Sequence, residues 1–428
     1  MLKVVSNQRS HDCAGNTRRD FLRVGAIGAS ALTLPNLLRS RAAAAESQQS
    51  LRSKSVIWVW LSGGPTHVET FDPKMTAPVE FRSITGEAAT PIPGVTIGGS
   101  FPKLASVADK MAIVRSFAHN NSSHGNGTQL VMTGYNDRAD MRPSMGSIMA
   151  KRFGCSDPQS GMPTYVRMGN IRSDGPGWLG TTYSPFDPGS QASKSMRLSL
   201  DADRVSDRRN LLDSIDKMKR SADASGKMAG MDGFEQQAFE LILGSSQEAF
   251  DTTKESKQTR DAYGSGLGES LLKARRLVEA GCGFVTLNYG GWDMHGGIEK
   301  GMKSRAGQVD QGVSALIADL HERGMNEDTL VVVTGEFGRT PKINAKGGRD
   351  HWGRLCTLAL SGGGLKMGQV IGESSRKIEV PATTPITPQD LMATILQMYG
   401  VDHRMQFVNN SGRPVFLVED GQPIAELV

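Results

Sequence analysis

Five of the eight histidines in this chain of 428 residues lie in polar loops that follow apolar, strand-like runs. They are His67, His119, His124, His295 and His351. In an open α/β sheet, ligands bind beyond the carboxyl ends of the strands, where such loops meet. Because imidazole nitrogens are common metal ligands and proton carriers, the clustering predicts a site of metal or acid–base chemistry at that edge.

Carboxylates accompany the histidines in these loops. Asp293 and His295 are two residues apart in an extended segment, so their side chains would point to the same side and could share one metal. Glu336 would add a carboxylate and His351 a second imidazole. This mixed nitrogen and oxygen set predicts a divalent metal, either zinc, manganese or calcium. Such a metal could polarise an ester oxygen or generate hydroxide from bound water.

Two further loops carry candidates for the reacting centre. His124 stands beside Ser122 and Ser123 and could be a nucleophile, a metal ligand or the neighbour of a helix N-cap, with capping the favoured role of Ser123. Arg339 could bind an anion, because a guanidinium matches phosphate or sulfate oxygens bidentately.

Each candidate also has a purely structural interpretation. The structural alternatives are a glycine-rich turn for Asp293 and His295, an ion pair between Glu336 and Arg339, a stack on Trp352 for His351, and turn formation for His67 and Asp72. Only the whole set of residues, and no single pair, indicates a metal site.

Continuous apolar runs separated by helical stretches would position these loops. The runs are Val56–Leu61, Met111–Val114, Phe284–Tyr289, Thr329–Thr334 and Thr357–Leu360. Apolarity without alternation is typical of strands that are covered on both faces, as in a parallel sheet. We therefore predict an α/β fold with a mostly parallel sheet and helices on both faces.

Helical segments link these strands. Residues 284–334 predict a βαβ unit with neighbouring parallel strands, in which Gly324 ends the helix. Thr387 and Pro388 predict the start of a late helix. The stretch 203–281 is interpreted as a helical insertion or cap, with helices at Ser206–Lys219, Gly233–Leu243 and Leu267–Ala280.

The first 45 residues have the order of a twin-arginine export signal. Arg18 and Arg19 precede a weakly apolar run, 24–38, and four alanines, 42–45. We expect cleavage near residue 45 and a mature chain, 46–428, that is periplasmic or extracellular. The alternative is a retained anchor, although the run is shorter than the ~20 apolar residues that span a bilayer. No later segment of the sequence predicts a membrane span.

The composition excludes two classes of protein. The chain has a formal net charge of +5, and this excess lies within the leader, so the mature part is close to neutral and a nucleic-acid partner is not expected. Cys155, Cys282 and Cys356 are an odd number without Cys-x-x-Cys spacing, which predicts no disulfide framework. The apolar strand-like contexts of Cys282 and Cys356 predict that these two thiols are buried.

Several motifs resemble a family catalogued as a domain of unknown function, number 1501. These motifs are Ser62–His67, Thr259–Gly264, Ala274–Gly281, Trp292–His295, Gly335–Pro341 and Gly412–Val415. The order of helix, strand and Glu336 around Thr329–Thr334 is also similar to the alkaline phosphatase and sulfatase superfamily, to which that family is assigned. The resemblance implies an alkaline-phosphatase-like fold and metal-dependent hydrolysis of phosphate or sulfate esters, with Ser123 or His124 at the nucleophile position.

The sequence departs from the superfamily's metal pattern. Gly63 and Gly64 stand where the first strand should end in an acidic ligand. Either His67 or Asp72 substitutes in a rearranged metal site, or the hydrolase site has decayed. In the second case the protein would be a non-catalytic binder of an anionic glycan or of an exported partner protein.

Overall fold

The computed structural model describes residues 54–136, 141–157, 160–189 and 245–428. The predicted export signal and the helices predicted at Ser206–Lys219 and Gly233–Leu243 lie outside these ranges. Within them, no helix combines the length and the apolarity needed to cross a membrane.

The described chain alternates short strands and helices. The strands are β1 Ser55–Trp60, β2 Glu87–Ala89, β3 Thr96–Gly98, β4 Ala112–Val114, β5 Tyr165–Met168, β6 Phe284–Asn288, β7 Thr329–Thr334, β8 Gly338–Arg339, β9 His351–Trp352, β10 Leu358–Gly362, β11 Gln369–Ile371, β12 Gln406–Val408 and β13 Pro414–Phe416. The α-helices are α1 His67–Thr70, α2 Pro102–Ser106, α3 His124–Thr133, α4 Met145–Phe153, α5 Lys257–Tyr263, α6 Leu267–Glu279, α7 Ile298–Glu322 and α8 Pro388–Met398. Single 3₁₀ turns lie at Ala108–Lys110, Gly177–Leu179, Thr181–Tyr183, Ser245–Phe250 and Thr252–Lys254.

Seven strands form the central sheet in the order β11-β4-β10-β7-β1-β6-β5. Strand β10 is antiparallel to both of its neighbours, and the other adjacent pairs are parallel. Every residue of β1 and β7 is buried, as their continuous apolarity predicts. On one face, Ile57 and Val59 pack with residues of α6 and α7. On the other face, Trp58 contacts Phe284, and Tyr399 after α8 donates to the Gly283 carbonyl at 2.5 Å. The predicted fold class is confirmed.

Two details of the sheet differ from the sequence-based expectation. Strands β6 and β7 are parallel, as the βαβ unit predicts, but β1 lies between them, so the crossover through α7 passes over one strand. Strand β10 runs antiparallel, because the hairpin β8–β9 reverses the chain before it. A short apolar run carries no information on strand direction, which explains the second difference.

The helix predicted at Leu267–Ala280 is present as α6. It packs on α7, β6 and β1, so this part of the predicted insertion belongs to the layer that covers the sheet. Arg275 has no exposed side-chain surface and pairs with Glu255 at 2.9 Å and with Asp319 at 3.1 Å. These ion pairs join α6 to α7 and to the segment that precedes α5.

Two smaller predictions are confirmed. Helix α8 starts after Thr387, which forms a reciprocal capping box with Asp390. Cys282 and Cys356 are buried free thiols, and burial raises the pKa of each to about 12, which makes them poor nucleophiles.

His67 and Asp72 do not take the metal-binding places that the sequence analysis allowed them. His67 begins α1 with its ring buried, and its Nε2 lies 3.4 Å from the Ile378 carbonyl oxygen. Asp72 is buried beside Arg115, with 3.5 Å between Asp72 Oδ1 and Arg115 Nε. Both side chains therefore face protein groups, and neither belongs to the group of possible metal ligands in the described part of the chain.

A buried ion pair anchors the loop that leads to β9. Glu69 and Arg349 have no exposed surface, and Arg349 Nη2 and Nε donate to the two carboxylate oxygens at 2.8 and 3.0 Å. Arg349 also donates to carbonyl oxygens of neighbouring loops, at 3.2 Å for Thr340 and 3.0 Å for Arg82. Because Arg349 stands two residues before His351, this pair fixes where His351 lies.

We expect Glu69→Gln to lower the free energy of unfolding by about 3 kcal/mol or more, because it leaves the Arg349 charge buried without its counter-ion. Urea unfolding measures this change. The control is Glu299→Gln, which removes one partner of an exposed pair with Lys303 and should cost less than about 0.5 kcal/mol. Equal losses in the two variants would contradict the anchoring role.

Burial lowers the pKa of His67 from its ordinary value to about 3, so the ring is neutral in the fold. The unfolded chain takes up a proton near pH 6.5, and the folded chain does not until near pH 3. Stability therefore falls as the pH drops through this interval, by up to about 1.4 kcal/mol per pH unit for this group. We expect His67→Gln to flatten the dependence of unfolding free energy on pH, which urea unfolding between pH 3 and pH 7 measures. An unchanged dependence in this variant would contradict a neutral, buried ring.

Candidate metal centre

Four loops at one edge of the sheet supply the candidate site. Strands β1, β6 and β7 run in parallel and end together, so the loops that follow them share the carboxyl edge. Asp293 and His295 lie in the loop after β6, and Glu336 lies directly after β7. His124 is the first residue of α3, and the β8–β9 hairpin folds His351 back over the same edge.

Three imidazoles surround the Asp293 carboxylate. The Nε2 atoms of His295 and His351 are each 3.1 Å from Asp293 Oδ1, and His124 Nε2 is 3.3 Å from Asp293 Oδ2. Ligand atoms of His124, Asp293 and His351 lie within 4.8 Å of one another, a spacing at which one metal ion could contact all three. His124, considered for the reacting centre, thus joins Asp293, His295 and His351, predicted as metal ligands, in one cluster.

The outer nitrogen of each imidazole faces an acceptor. His124 Nδ1 is 2.7 Å from Glu336 Oε1, His295 Nδ1 is 2.7 Å from Asp350 Oδ1, and His351 Nδ1 is 3.0 Å from the Ser122 carbonyl oxygen. A carbonyl or an ionised carboxylate only accepts, so we assign the proton of each neutral ring to Nδ1. Each Nε2 then presents a lone pair to the centre of the cluster. This arrangement is typical of metal-binding histidines, whose outer N–H is held by a carboxylate or carbonyl.

The inner nitrogens need a positive charge between them. His295 Nε2 and His351 Nε2 are 3.0 Å apart, and with both protons on Nδ1 two lone pairs face each other beside an ionised carboxylate. A cation relieves this repulsion. His124, Asp293 and His351 supply two imidazoles and one carboxylate close enough to share one ion, a ligand set suited to zinc or manganese, so these residues fit a divalent metal.

Glu336 lies behind His124 and not at the centre. Its side chain is buried, and Oε1 accepts a hydrogen bond from the Gly63 amide at 2.8 Å. Its Oε2 is buried and has no hydrogen-bond partner in the described part of the chain. Glu336, predicted as a metal ligand, therefore contacts His124 through Oε1 and orients that ring.

Gly63 occupies a position that only glycine can fill. Its φ is +115°, and an added Cβ would lie 2.5 Å from the Asp293 amide nitrogen. The loops after β1 and β6 are therefore in backbone contact at the site. Because of this approach, the Gly63 amide reaches Glu336.

Arg339, which the sequence analysis considered as an anion-binding residue, is buried. It has no exposed surface, and its guanidinium donates to the carbonyl oxygens of Gly64 at 2.9 Å and Arg349 at 3.1 Å. It also donates to the Gly63 carbonyl and to Asp293 Oδ1. Its ion pair is with Asp293 and not with Glu336. All of these donors face protein acceptors, and the pair between Arg339 and Asp293 holds the carboxylate in place.

The electrostatics of the cluster follow from these contacts. Partial burial opposes ionisation of Asp293, but the hydrogen bond from Arg339 and the charge of Arg339 hold its pKa far below the usual range. The hydrogen bond to Glu336 raises the pKa of His124. Burial lowers the pKa of His351, which keeps that ring neutral. The cluster therefore offers an anionic oxygen and at least one neutral imidazole at neutral pH.

Ser123 occupies the N-cap position of α3 but makes no side-chain capping bond. It is exposed, and no hydrogen bond to its hydroxyl occurs within the described ranges. Ser122 instead has a structural role, since its Oγ accepts from the Gly353 amide at 2.9 Å. The capping role favoured for Ser123 is absent, and its hydroxyl is available next to His124.

The sequence analysis missed some residues that support the cluster. Asp350 orients His295 through its contact with Nδ1, and its only signal in the sequence is that it directly precedes His351. His119 lies below the site, with Nε2 2.9 Å from the Glu336 carbonyl oxygen, and burial lowers its pKa to about 4. His351 packs against Phe337 at a ring distance of 4.4 Å instead of stacking on Trp352.

Comparisons with known proteins give distant structural similarity. The sulfatase PsFucS1 from Pseudoalteromonas sp. is 13% identical, with a TM-score of 0.40 over 85% of this chain and 72% of that one. The phosphonate monoester hydrolase from Silicibacter pomeroyi is also 13% identical, with a TM-score of 0.38 over 87% and 76%. The lipoteichoic acid synthase LtaP from Listeria monocytogenes is 10% identical, with a TM-score of 0.37 over 87% and 76%. Similarity at this level carries no information on activity.

Family membership is clearer than any of these likenesses. Among curated proteins none matches the sequence. A single family model covers residues 53–428, and this range includes all of the motifs that resemble family 1501. The chain therefore belongs to the family described as "Protein of unknown function (DUF1501)".

Proposed function

We propose that this protein is an exported, metal-dependent hydrolase of phosphate or sulfate esters. The observation that carries the proposal is the orientation of three imidazoles, whose outer nitrogens are held by acceptors and whose inner nitrogens converge on Asp293. Export is supported by the twin-arginine pattern of the first 45 residues, including Arg18 and Arg19.

The residues of the centre divide into ligands and supports. His124, Asp293 and His351 would hold the metal, with His295 beside them as a further ligand. When bound, the metal would supply Lewis-acid polarisation of the ester and a water of lowered pKa. Zinc and manganese suit this set better than calcium, which prefers oxygen ligands.

The supports keep the centre ready for an anion. Arg339 holds Asp293 ionised and oriented, and Glu336 and Asp350 fix the tautomers of His124 and His295. Ser123, exposed beside His124, would act through its hydroxyl at the reacting centre. Each of these contacts is made before substrate arrives, so little reorganisation is required during the reaction.

We expect the purified mature protein to contain a divalent metal, and Asp293→Asn or His351→Ala to lose it, because each change removes a ligand. Glu336→Gln should weaken metal affinity by about 10- to 100-fold, the usual effect of losing a carboxylate that orients a metal-binding histidine. Elemental analysis after dialysis measures metal content. His403→Ala, outside the cluster, is the control, and loss of metal in that variant as well would count against a specific site.

We expect turnover of an aryl phosphate or an aryl sulfate that disappears with a chelator and returns with zinc or manganese. Ser123→Ala should lower kcat by more than about 100-fold at unchanged metal content if its hydroxyl acts on the ester. Metal without turnover on a broad ester panel would instead indicate a binder of an anionic glycan or an exported partner. A chelator that lowers Tm while ligand binding persists would indicate a metal that only stabilises the fold.

A further inference from the structure

An open cleft lies beside the candidate metal centre and is lined by three arginines. The cleft has a volume of about 570 Å³ and includes Arg142, Arg167 and Arg172 among its walls. Helix α3 connects the two sites, because it begins with His124 in the metal cluster and places Gln129 in the cleft wall. A substrate bound at the metal could therefore extend into the cleft.

Arg172 stands at the junction of the two sites. Its side chain is exposed, and its guanidinium packs on Gly125, the residue after His124, where an added Cβ would lie 2.9 Å from Arg172 Nη1. Glycine at position 125 thus makes room for this guanidinium at the first turn of α3. No ion pair to Arg172 occurs within the described ranges, so its charge faces the solvent of the cleft.

The loop that carries Arg172 is held rigidly. Ile171 and Asp174 on either side are buried, and Asp174 accepts hydrogen bonds from Thr286 at 2.7 Å and from the Tyr165 hydroxyl. Ser173 has a φ of +61°, a left-handed conformation that costs free energy in a residue other than glycine. The buried contacts of the loop maintain this conformation, which keeps Arg172 at the mouth of the cleft.

The other two guanidiniums are only partly satisfied. Arg142 donates to the Phe416 carbonyl at 3.1 Å and packs over a tyrosine ring, and Arg167 donates to the Asp174 carbonyl at 2.9 Å. The Nε atom of each is buried without a partner in the described part of the chain. Among the walls of the cleft, the three arginines face one carboxylate, that of the buried Asp174, and Asp187 lies 3.9 Å from Arg167 Nη2. Two further acidic residues, Glu419 and Asp420, act on the tyrosine beneath Arg142. The positive charge that no ion pair offsets in the described residues is therefore that of Arg172.

We propose that this arginine cleft binds a second anionic group of the substrate, so that the ester cleaved at the metal is one of an alcohol that itself carries a negative charge. The inference rests on the proposed function, because the metal centre binds the reacting group. Arg172 makes the first contact with the second anion, since guanidinium pairs bidentately with phosphate and sulfate.

The test uses alkyl bisphosphonates of increasing chain length and the matching monophosphonates, with disulfonates and monosulfonates as the sulfate-like arm. These probes resist hydrolysis, so calorimetry reports binding alone. The metal content of the mature protein is measured first. We expect this protein to bind the best probe with two anionic groups on the order of 10-fold more tightly than the matching probe with one. Arg172→Ala should abolish this preference, Arg172→Lys should retain part of it, and Arg260→Ala, outside the cleft, should retain all of it.

The preference also separates the two proposals. If monophosphonate affinity is the same in Asp293→Asn protein as in the unmodified protein, the metal centre does not bind the reacting group and the proposed function fails. The role of the cleft is tested independently, by whether Arg172→Ala lowers the affinity for the probe with two anionic groups. Two results would overturn the inference. One is equal affinity for probes with one and with two anionic groups at every chain length. The other is a preference that survives the double substitution of Arg142 and Arg172 by alanine.

Discussion

The candidate site depends on one charge pair, in which the buried guanidinium of Arg339 lies beneath the Asp293 carboxylate. A buried charge is stable only if its donors are satisfied, and here backbone carbonyls and one carboxylate satisfy them. Those carbonyls belong to Gly63, Gly64 and Arg349, which lie in loops far apart in sequence. The Arg339 guanidinium therefore holds three loops together and keeps Asp293 ionised among the imidazoles.

A second buried arginine extends this support away from the cluster. Arg349 accepts from Arg339 through its carbonyl oxygen and pairs with Glu69 through its guanidinium. The two arginines thus form a continuous polar connection from helix α1 to Asp293. His351 stands at the end of the segment that this connection fixes, which places its ring with little freedom. The hydrophobic core positions the strands, and these ion pairs position the loops.

The sequence predicted the location of the site better than the role of each residue. Strand-end loops must meet at the edge of a parallel sheet, and this rule correctly brought Asp293, His295 and His351 together. The same rule could not exclude His67, whose ring turns inward because α1 buries it. Nor could composition show that Arg339 is buried, since an arginine in a polar loop is usually exposed.

The limits of the fold prediction have a similar origin. Strand β10 was found from its apolar residues, but its direction depends on the hairpin before it, and two-residue strands such as β8 and β9 have no apolar pattern. The outer strands β5 and β11 escaped detection because they are short and only partly buried. The spacing of apolar residues indicates which positions are buried. Strand direction and very short strands depend instead on the path of the chain between elements.

The crowded backbone at Gly63 also restricts how such a centre could be rebuilt. An aspartate in that position would bring its Cβ to 2.5 Å from the Asp293 amide nitrogen, so it could enter only if one of the two loops shifted. The contact between the loops after β1 and β6 therefore depends on the absence of a side chain at position 63. Any larger residue there would move the backbone that carries Asp293, and with it the carboxylate that the imidazoles surround.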